Sequence, residues 1–208
     1  MIVAVAMDAR TEAARPWIEA AAPSYLCLID HDHRVADLYN MVNVPQAVWI
    51  DETGRIVRPT ESAGAYEGFR SMNRATGKVP DDIAAISSQA KRTYVEAVRD
   101  WAVDGRSSEH VFDPEGATAR LRLPDEKIAL AHAQFRLGQH LLRRGQEVDA
   151  QRHFAEARRL HPESWNIWRQ THPVDERGLA SGPEFWARVD ALGSRRYYAP
   201  VDMRGMPG

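Results

Sequence analysis

A short run of alternating acidic and imidazole side chains is the part of the sequence that most resembles a metal site. Asp30, His31, Asp32 and His33 bring together two carboxylates and two imidazoles, groups that can bind zinc or a harder metal ion. In an extended turn, however, only residues two apart point to the same side, which pairs His31 with His33 or Asp30 with Asp32. The pattern therefore favours an exposed turn in which Asp32 caps the next helix, and we predict no metal and no cofactor.

Cys27 is the single cysteine of the chain. One thiol cannot form an internal disulfide, run a CxxC redox cycle or build a thiolate zinc site. Its neighbours in residues 25–29 are apolar, so we expect a strand in which Cys27 is a small buried hydrophobic residue. The alternative is a lone redox sensor, which requires an exposed and readily ionised thiol.

Several other classes of function find no support in the sequence. It contains no serine nucleophile elbow, no glycine-rich phosphate loop and no His-Glu-x-x-His zinc motif. The histidines at 132, 140 and 153 are predicted to be surface residues. A net charge of −2 gives no electrostatic case for nucleic acid. No apolar run reaches the roughly 20 residues that span a bilayer, so we predict no membrane segment.

Strands and helices alternate in the first third of the chain. The apolar run at residues 2–7 predicts a strand buried on both faces of a parallel sheet, and residues 25–29 predict a second strand. The helix between them starts either after Thr11, as its cap, or near Arg15, because Pro16 is awkward inside a helix. Residues 47–58, with a turn at Gly54, predict a β-hairpin.

Helical periodicity dominates the rest of the chain. Apolar residues three and four apart predict a long helix from residue 81 to Gly105, and residues 106–124 are predicted to be a loop. Two more helices are predicted at 125–144 and 147–160, separated by Gly145. We therefore divide the chain into an α/β domain at residues 1–77 and an all-α region at residues 78–208.

The segment that enters the hairpin resembles a signature of redoxin-type thioredoxin folds. Val44, Pro45 and Gln46 precede a strand ending in Ile50-Asp51, and a glycine turn and a second strand follow. This resembles the TlpA/ResA-type thiol-disulfide oxidoreductases and the related AhpC/TSA peroxidases, in which a cis proline stands at this place. The resemblance covers about residues 2–60. It implies a thioredoxin-like fold in which Val44, Pro45 and Gln46 form the substrate-binding loop, and a trans proline that starts a strand is the alternative.

The sequence departs from these families at their reactive cysteines. In the families these lie on a strand–helix unit before the strand that matches residues 2–7, whereas here nothing precedes Met1, and Cys27 matches neither cysteine. We therefore expect no catalytic residue in this chain and an incomplete sheet. Three explanations stay open: a start codon assigned too far downstream, a sheet that closes up or is completed by a partner chain such as a second copy, and a fragment of a longer protein.

Residues 131–164 resemble one tetratricopeptide repeat. The matching positions are Leu137, Gly138, Leu141, Gly145, Ala150, Phe154, Ala157 and Pro162. The small residues would let two helices approach closely. The repeat is interpreted either as a packing element or as a binding site for a protein partner.

Two functions from different classes follow from these resemblances. The first is a redoxin-type oxidoreductase or peroxidase acting on a protein thiol, a disulfide or a peroxide, with its active-site cysteines absent from this chain. The second is a non-catalytic scaffold that binds proteins through its helical region. We predict a cytoplasmic location, or an extracytoplasmic one if an upstream segment exists.

Overall fold

The computed structural model describes residues 1–8, 13–176 and 178–207. Within these ranges the chain is a mixed α/β protein in which every named element from Asp81 onwards is helical. In chain order the elements are β1 (Val3–Ala6), α1 (Arg15–Ala21), β2 (Leu26–Ile29), α2 (Arg34–Leu38), β3 (Gln46–Ile50), β4 (Ile56–Ser62), α3 (Asp81–Asp104), α4 (Pro114–Arg120), α5 (Glu126–Arg143), α6 (Glu147–Leu160), α7 (Trp165–Gln170) and α8 (Pro183–Asp190). Two short 3-10 helices span Glu67–Ser71 and Gly105–Ser107.

Two compact units make up the structure, and each is built from two stretches of chain. The first comprises Met1–Asn43 and Arg122–Gly182, and the second comprises Val44–Leu121 and Pro183–Gly208. The units therefore cut across the predicted division between residues 77 and 78.

A small parallel sheet forms one part of the first unit. β1 pairs with β2, with Val3 opposite Leu26, and α1 connects the two strands. The helix begins at Arg15, the second of its two predicted starts, whereas Thr11 lies outside the described residues. Val3 and Leu26 are 42% and 51% exposed, so the prediction of a β1 strand buried on both faces is wrong. A sheet of only two short strands is too small for other elements to cover both of its faces.

A helical hairpin of α5 and α6 forms the other part of the first unit. Its core consists of Ala131, Phe135, Ala150, Phe154, Ala157 and Leu160, and Ile167 of α7 packs with them. The helices meet closely at Gly138, where a Cβ atom would lie 2.6 Å from two ring carbons of Phe154. The small residues predicted to bring the helices together are therefore at the contact, and assignment to the tetratricopeptide family stays a prediction.

An antiparallel hairpin packs on α3 in the second unit. β3 pairs with β4, with Gln46 opposite Ser62, and the register shifts on both sides of Trp49. Trp49 and Val57 of the hairpin form a buried core with Tyr94 and Ala97 of α3. Gly54 makes the turn with a φ of 83°, in the left-handed region that glycine adopts at no steric cost.

The described strands form two separate two-stranded sheets, with β1 in one and β3 in the other. The mixed α/β class and the helical character of the later part of the chain are confirmed. The thioredoxin-like fold itself stays a prediction. The prediction of a loop over residues 106–124 is wrong in its middle, because α4 begins at Pro114, where the Asp113 carboxylate accepts a hydrogen bond from Gly116 N at 2.6 Å.

Candidate functional site

The loop of Val44, Pro45 and Gln46 lies on the surface of the second unit, where the chain enters β3. The Val44–Pro45 peptide bond is cis, and the Val44 side chain is 37% exposed. Backbone atoms of the loop are held on two sides. The hydroxyl of Tyr198 donates to the Val44 carbonyl at 3.2 Å, and Ala63 N donates to the Pro45 carbonyl at 3.2 Å. The loop is therefore an exposed segment with a positioned backbone.

Glu67 fixes the chain segment that carries Tyr198. Its carboxylate accepts hydrogen bonds from Tyr197 N at 2.8 Å, from Arg70 at 2.9 Å and from Arg196 at 3.1 Å. Burial raises the pKa of Glu67, but these hydrogen bonds outweigh burial and lower the pKa below its usual value. With its oxygens engaged by three donors, Glu67 is a structural anchor and not a proton-transfer group.

A buried polar network supports the hairpin behind the loop. Trp49 Nε1 donates to the Tyr94 hydroxyl at 2.8 Å, and this hydroxyl donates to Glu61 Oε1 at 3.0 Å. Arg58 donates to both oxygens of Glu61 at 2.8 Å. Burial and the Glu61 charge raise the pKa of Tyr94, so its hydroxyl stays protonated. The members of the network are engaged with one another, and Arg58 also donates to the carbonyls of His110 and Asp202, which suits a rigid support for the loop more than a catalytic centre.

Asp51 shapes the turn that follows β3. Its Oδ1 atom accepts hydrogen bonds from the Thr53 hydroxyl at 2.6 Å and from Arg55 N at 3.0 Å, and Arg106 donates to Oδ2 at 2.9 Å. The Thr53 hydroxyl and the backbone donors lower the pKa of Asp51 to about 2. The carboxylate therefore holds the turn in its ionised form.

Cys27 lies in β2 of the first unit and is half-buried, not fully buried as predicted. It borders an open cavity of about 280 Å³. The other lining residues are Arg15, Ile18, Glu19, Leu28, Ile29 and His31. The roles of Cys27 as a packing residue or as a lone redox sensor stay predictions.

The four residues proposed as a possible metal cluster point to different partners. Asp30 accepts hydrogen bonds from Arg34 N and Val35 N at 2.9 and 2.7 Å, so Asp30 caps α2 and the prediction that Asp32 does so is wrong. The cause is His33, whose φ of 54° turns the chain before the helix. No group of three metal-capable side chains is found in residues 1–8, 13–176 and 178–207.

Buried histidines are the feature that the sequence analysis missed. His132 is 4% exposed, so its prediction as a surface residue is wrong, and His33 and His161 are 3% and 5% exposed. One feature of the sequence does indicate that His132 is buried. It lies three residues before Phe135 in α5, which places both side chains on the apolar face of the helix.

Comparison with protein-family models, with curated proteins and with solved structures finds no match to this chain. Among the described residues, no helix is both long enough and apolar enough to cross a membrane.

Proposed function

We propose that this chain belongs to a redoxin-type thiol-disulfide oxidoreductase or peroxidase whose reactive cysteines are absent from the sequence. In this proposal Val44, Pro45 and Gln46 dock the substrate. The observation that carries it is the exposed loop at the entrance to β3, whose backbone is held by Tyr198 on one side and by Ala63 on the other. The order of parallel strands, helices and hairpin supports the same resemblance.

The loop suits a peptide substrate that carries an apolar side chain, because the side chains next to a docked peptide add specificity. The exposed Val44 side chain offers an apolar contact to such a peptide. The buried network of Trp49, Tyr94, Glu61 and Arg58 keeps the strand behind the loop rigid, which a binding site requires.

Cys27 does not supply the redox couple in this proposal. A thiol-disulfide cycle needs a second thiol, and the sequence contains one cysteine. The nucleophile therefore has to come from another polypeptide segment, and we assign the neighbouring strand of β1 to that segment. A second copy of the chain would complete the sheet but would bring only another Cys27.

The first test is the mass and the N-terminus of the protein isolated from its own source. We expect a product with at least one cysteine before the β1 strand, and this product should reduce a disulfide peptide or a peroxide. A product without any additional cysteine, and with no cysteine-bearing partner in the complex, would refute the enzymatic proposal. The mass in solution also distinguishes a monomer from an assembly of two copies.

The second test addresses the docking role of the loop in the active protein. Val44→Glu places a charge on the exposed loop, and we expect kcat/KM for a disulfide peptide to fall by about tenfold or more. Val103→Glu is the matched control, because Val103 is 84% exposed on α3 and lies outside the loop. Equal activity of the two variants would show that Val44 does not contact the substrate.

A protein-binding scaffold is the second candidate, favoured by apolar side chains on the outer face of α5. Leu130 and Leu137 are 47% and 42% exposed and lie seven residues apart, which places them on one face of the helix. Leu130→Arg with Leu137→Arg should abolish recovery of an identified partner from the source cell. Leu123→Arg, at a side chain that is 79% exposed outside α5, is the control.

A further inference from the structure

Residues 30–38 lie along one face of α5, and we call the contact between them the docking seam. Its polar and ring contacts are Arg143 to Asp32 at 3.1 Å, Gln139 Nε2 to the His31 carbonyl at 3.3 Å, Arg136 to Asp37, and the rings of His33 and Phe135 with centroids 5.1 Å apart. The α5 residues in this set recur at three and four positions, so they share one face of the helix. The turn that resembled a metal site is therefore a docking element within the first unit.

Buried imidazoles lie in and beside the docking seam. The Nε2 atoms of His33, His132 and His161 are buried and have no hydrogen-bond partner among the described residues. The rings of His132 and His161 have centroids 5.9 Å apart. A neutral imidazole can pack in such surroundings, whereas a charged one without a hydrogen-bond acceptor is strongly disfavoured.

We propose that the docking seam is an acid-sensitive latch: neutral His33 and His132 hold residues 30–38 on α5, and protonation of these two imidazoles releases them. This regulatory device lies in the first unit and does not depend on the redox function proposed above.

Burial is the largest effect on these groups, and it opposes their charged form. It lowers the pKa of His33 and of His161 from 6.5 to about 4, and it lowers the pKa of His132. His132 lowers the pKa of the other two further, because neighbouring imidazolium charges repel each other. The latch therefore acts as a coupled set, in which the first proton to bind makes the next less favourable.

Charged side chains around the cluster oppose or reinforce this effect. Asp8, Asp30 and Asp32 face His33; Asp37 and Arg136 face His132; Asp125, Glu163 and Lys127 face His161. The carboxylates raise the pKa of the imidazoles, and Arg136 and Lys127 lower it. Burial prevails over the carboxylates at each site.

The direction of the pH effect follows from linkage. In the released state His33 has its ordinary pKa of 6.5, and in the docked state its pKa is about 4. The released state therefore binds more protons between these values. Docking is complete above about pH 6.5 and weakens as the pH falls towards about 4.

Hydrogen exchange of the full chain tests the release directly. After correction for the intrinsic pH dependence, exchange in the peptide covering residues 30–41 should increase by about tenfold or more between pH 7 and pH 5. Exchange in the β3–β4 hairpin of the second unit, which lacks these histidines, should change little. An unchanged rate in residues 30–41 would overturn the proposal.

Substitutions that cannot titrate should remove the pH dependence. We choose His132→Gln together with His33→Asn, because asparagine tolerates the φ of 54° at position 33. In this double variant the increase between pH 7 and pH 5 should fall below about threefold. His140→Gln, at an exposed position of α5, should keep the behaviour of the original chain. If the double variant also keeps the increase in exchange between pH 7 and pH 5, the latch is refuted.

A direct titration decides the matter if the double variant does not fold. Two-dimensional NMR of the histidine side chains in the unaltered chain reports their protonation in the folded state. A His33 ring that stays neutral down to about pH 5 supports the latch. If this ring titrates near 6.5 while residues 30–41 remain protected, the imidazoles do not control docking.

Discussion

The indole nitrogen of Trp49 donates a hydrogen bond to the Tyr94 hydroxyl at 2.8 Å, inside the core of the second unit. Tyr94→Phe removes this acceptor and leaves the Trp49 N–H buried without a partner. We expect a loss of about 1–3 kcal/mol in the free energy of unfolding, because a buried donor left unpaired costs its desolvation energy. Urea unfolding followed by tryptophan fluorescence measures the change. Tyr25→Phe, at a residue that is 46% exposed, is the control and should change stability little.

Arg58 is 1% exposed, and its guanidinium joins three parts of the second unit. It donates to both oxygens of Glu61 at 2.8 Å, and to the carbonyls of His110 and Asp202. A lysine ammonium cannot reproduce this planar set of donors. Arg58→Lys should therefore destabilise the chain by more than about 2 kcal/mol in urea unfolding.

The control for Arg58→Lys is Arg92→Lys, at an exposed position of α3. This control makes the same arginine-to-lysine change at a residue that has no buried partners in the described part of the chain. It should alter the free energy of unfolding by less than about 0.5 kcal/mol. If the two variants lose similar amounts of stability, the hydrogen bonds of the Arg58 guanidinium do not contribute specifically to the stability of the fold.

Gly138 permits the close approach of α5 and α6 in the first unit. Gly138→Ala places a Cβ atom 2.6 Å from ring carbons of Phe154 and 3.2 Å from the Ala150 carbonyl oxygen. The helices would have to separate, so we expect destabilisation of about 1–3 kcal/mol despite the better helix propensity of alanine. Thermal unfolding by circular dichroism measures it. Gly182→Ala, where no atom lies within 4 Å, should be close to neutral.

Asp51 should make the second unit sensitive to strong acid. Hydrogen bonds from the Thr53 hydroxyl, from the backbone and from Arg106 hold the pKa of Asp51 at about 2 in the folded state, against 3.8 for an ordinary aspartate. Its contribution to stability is therefore present above about pH 4 and is lost as the pH falls towards 2. Asp51→Asn should reduce stability at pH 5, and the difference from the unaltered chain should shrink at pH 2.

The neighbouring substitution Glu52→Gln is the control for Asp51→Asn, since Glu52 is exposed in the same turn. Urea unfolding at several pH values compares the two. If the effect of Asp51→Asn is as large at pH 2 as at pH 5, the ionised carboxylate is not the source of the stability.

Local sequence patterns predict most of the individual elements. The apolar runs locate β1 and β2, the turn at Gly54 locates the β3–β4 hairpin, and the spacing of small and apolar residues locates α5 and α6. These succeed because each depends on residues close together in the chain. The helix α4 was missed although Asp113 followed by Pro114 is a typical helix start, with a capping side chain and a proline in the first turn.

Features that depend on distant parts of the chain were not predicted. The burial of His132 follows from the packing of residues 30–38 on α5, about a hundred residues away in sequence. The contact of Asp32 with Arg143 likewise joins residues that are far apart in the chain. The candidate loop at Val44, Pro45 and Gln46 was recognised from its resemblance to a family, whereas its anchoring by Tyr198 lies beyond local patterns.

The interleaved composition of the two units has a consequence for how the protein is made. Met1–Asn43 leaves the ribosome first, but the stretch that completes its unit, Arg122–Gly182, follows only after Val44–Leu121 has been synthesised. During this interval residues 30–38 exist without α5, so His33, which is 3% exposed in the complete chain and contacts Phe135, lacks the helix that covers it. Protection of the nascent chain by a chaperone therefore matters most while residues 44–121 are being translated.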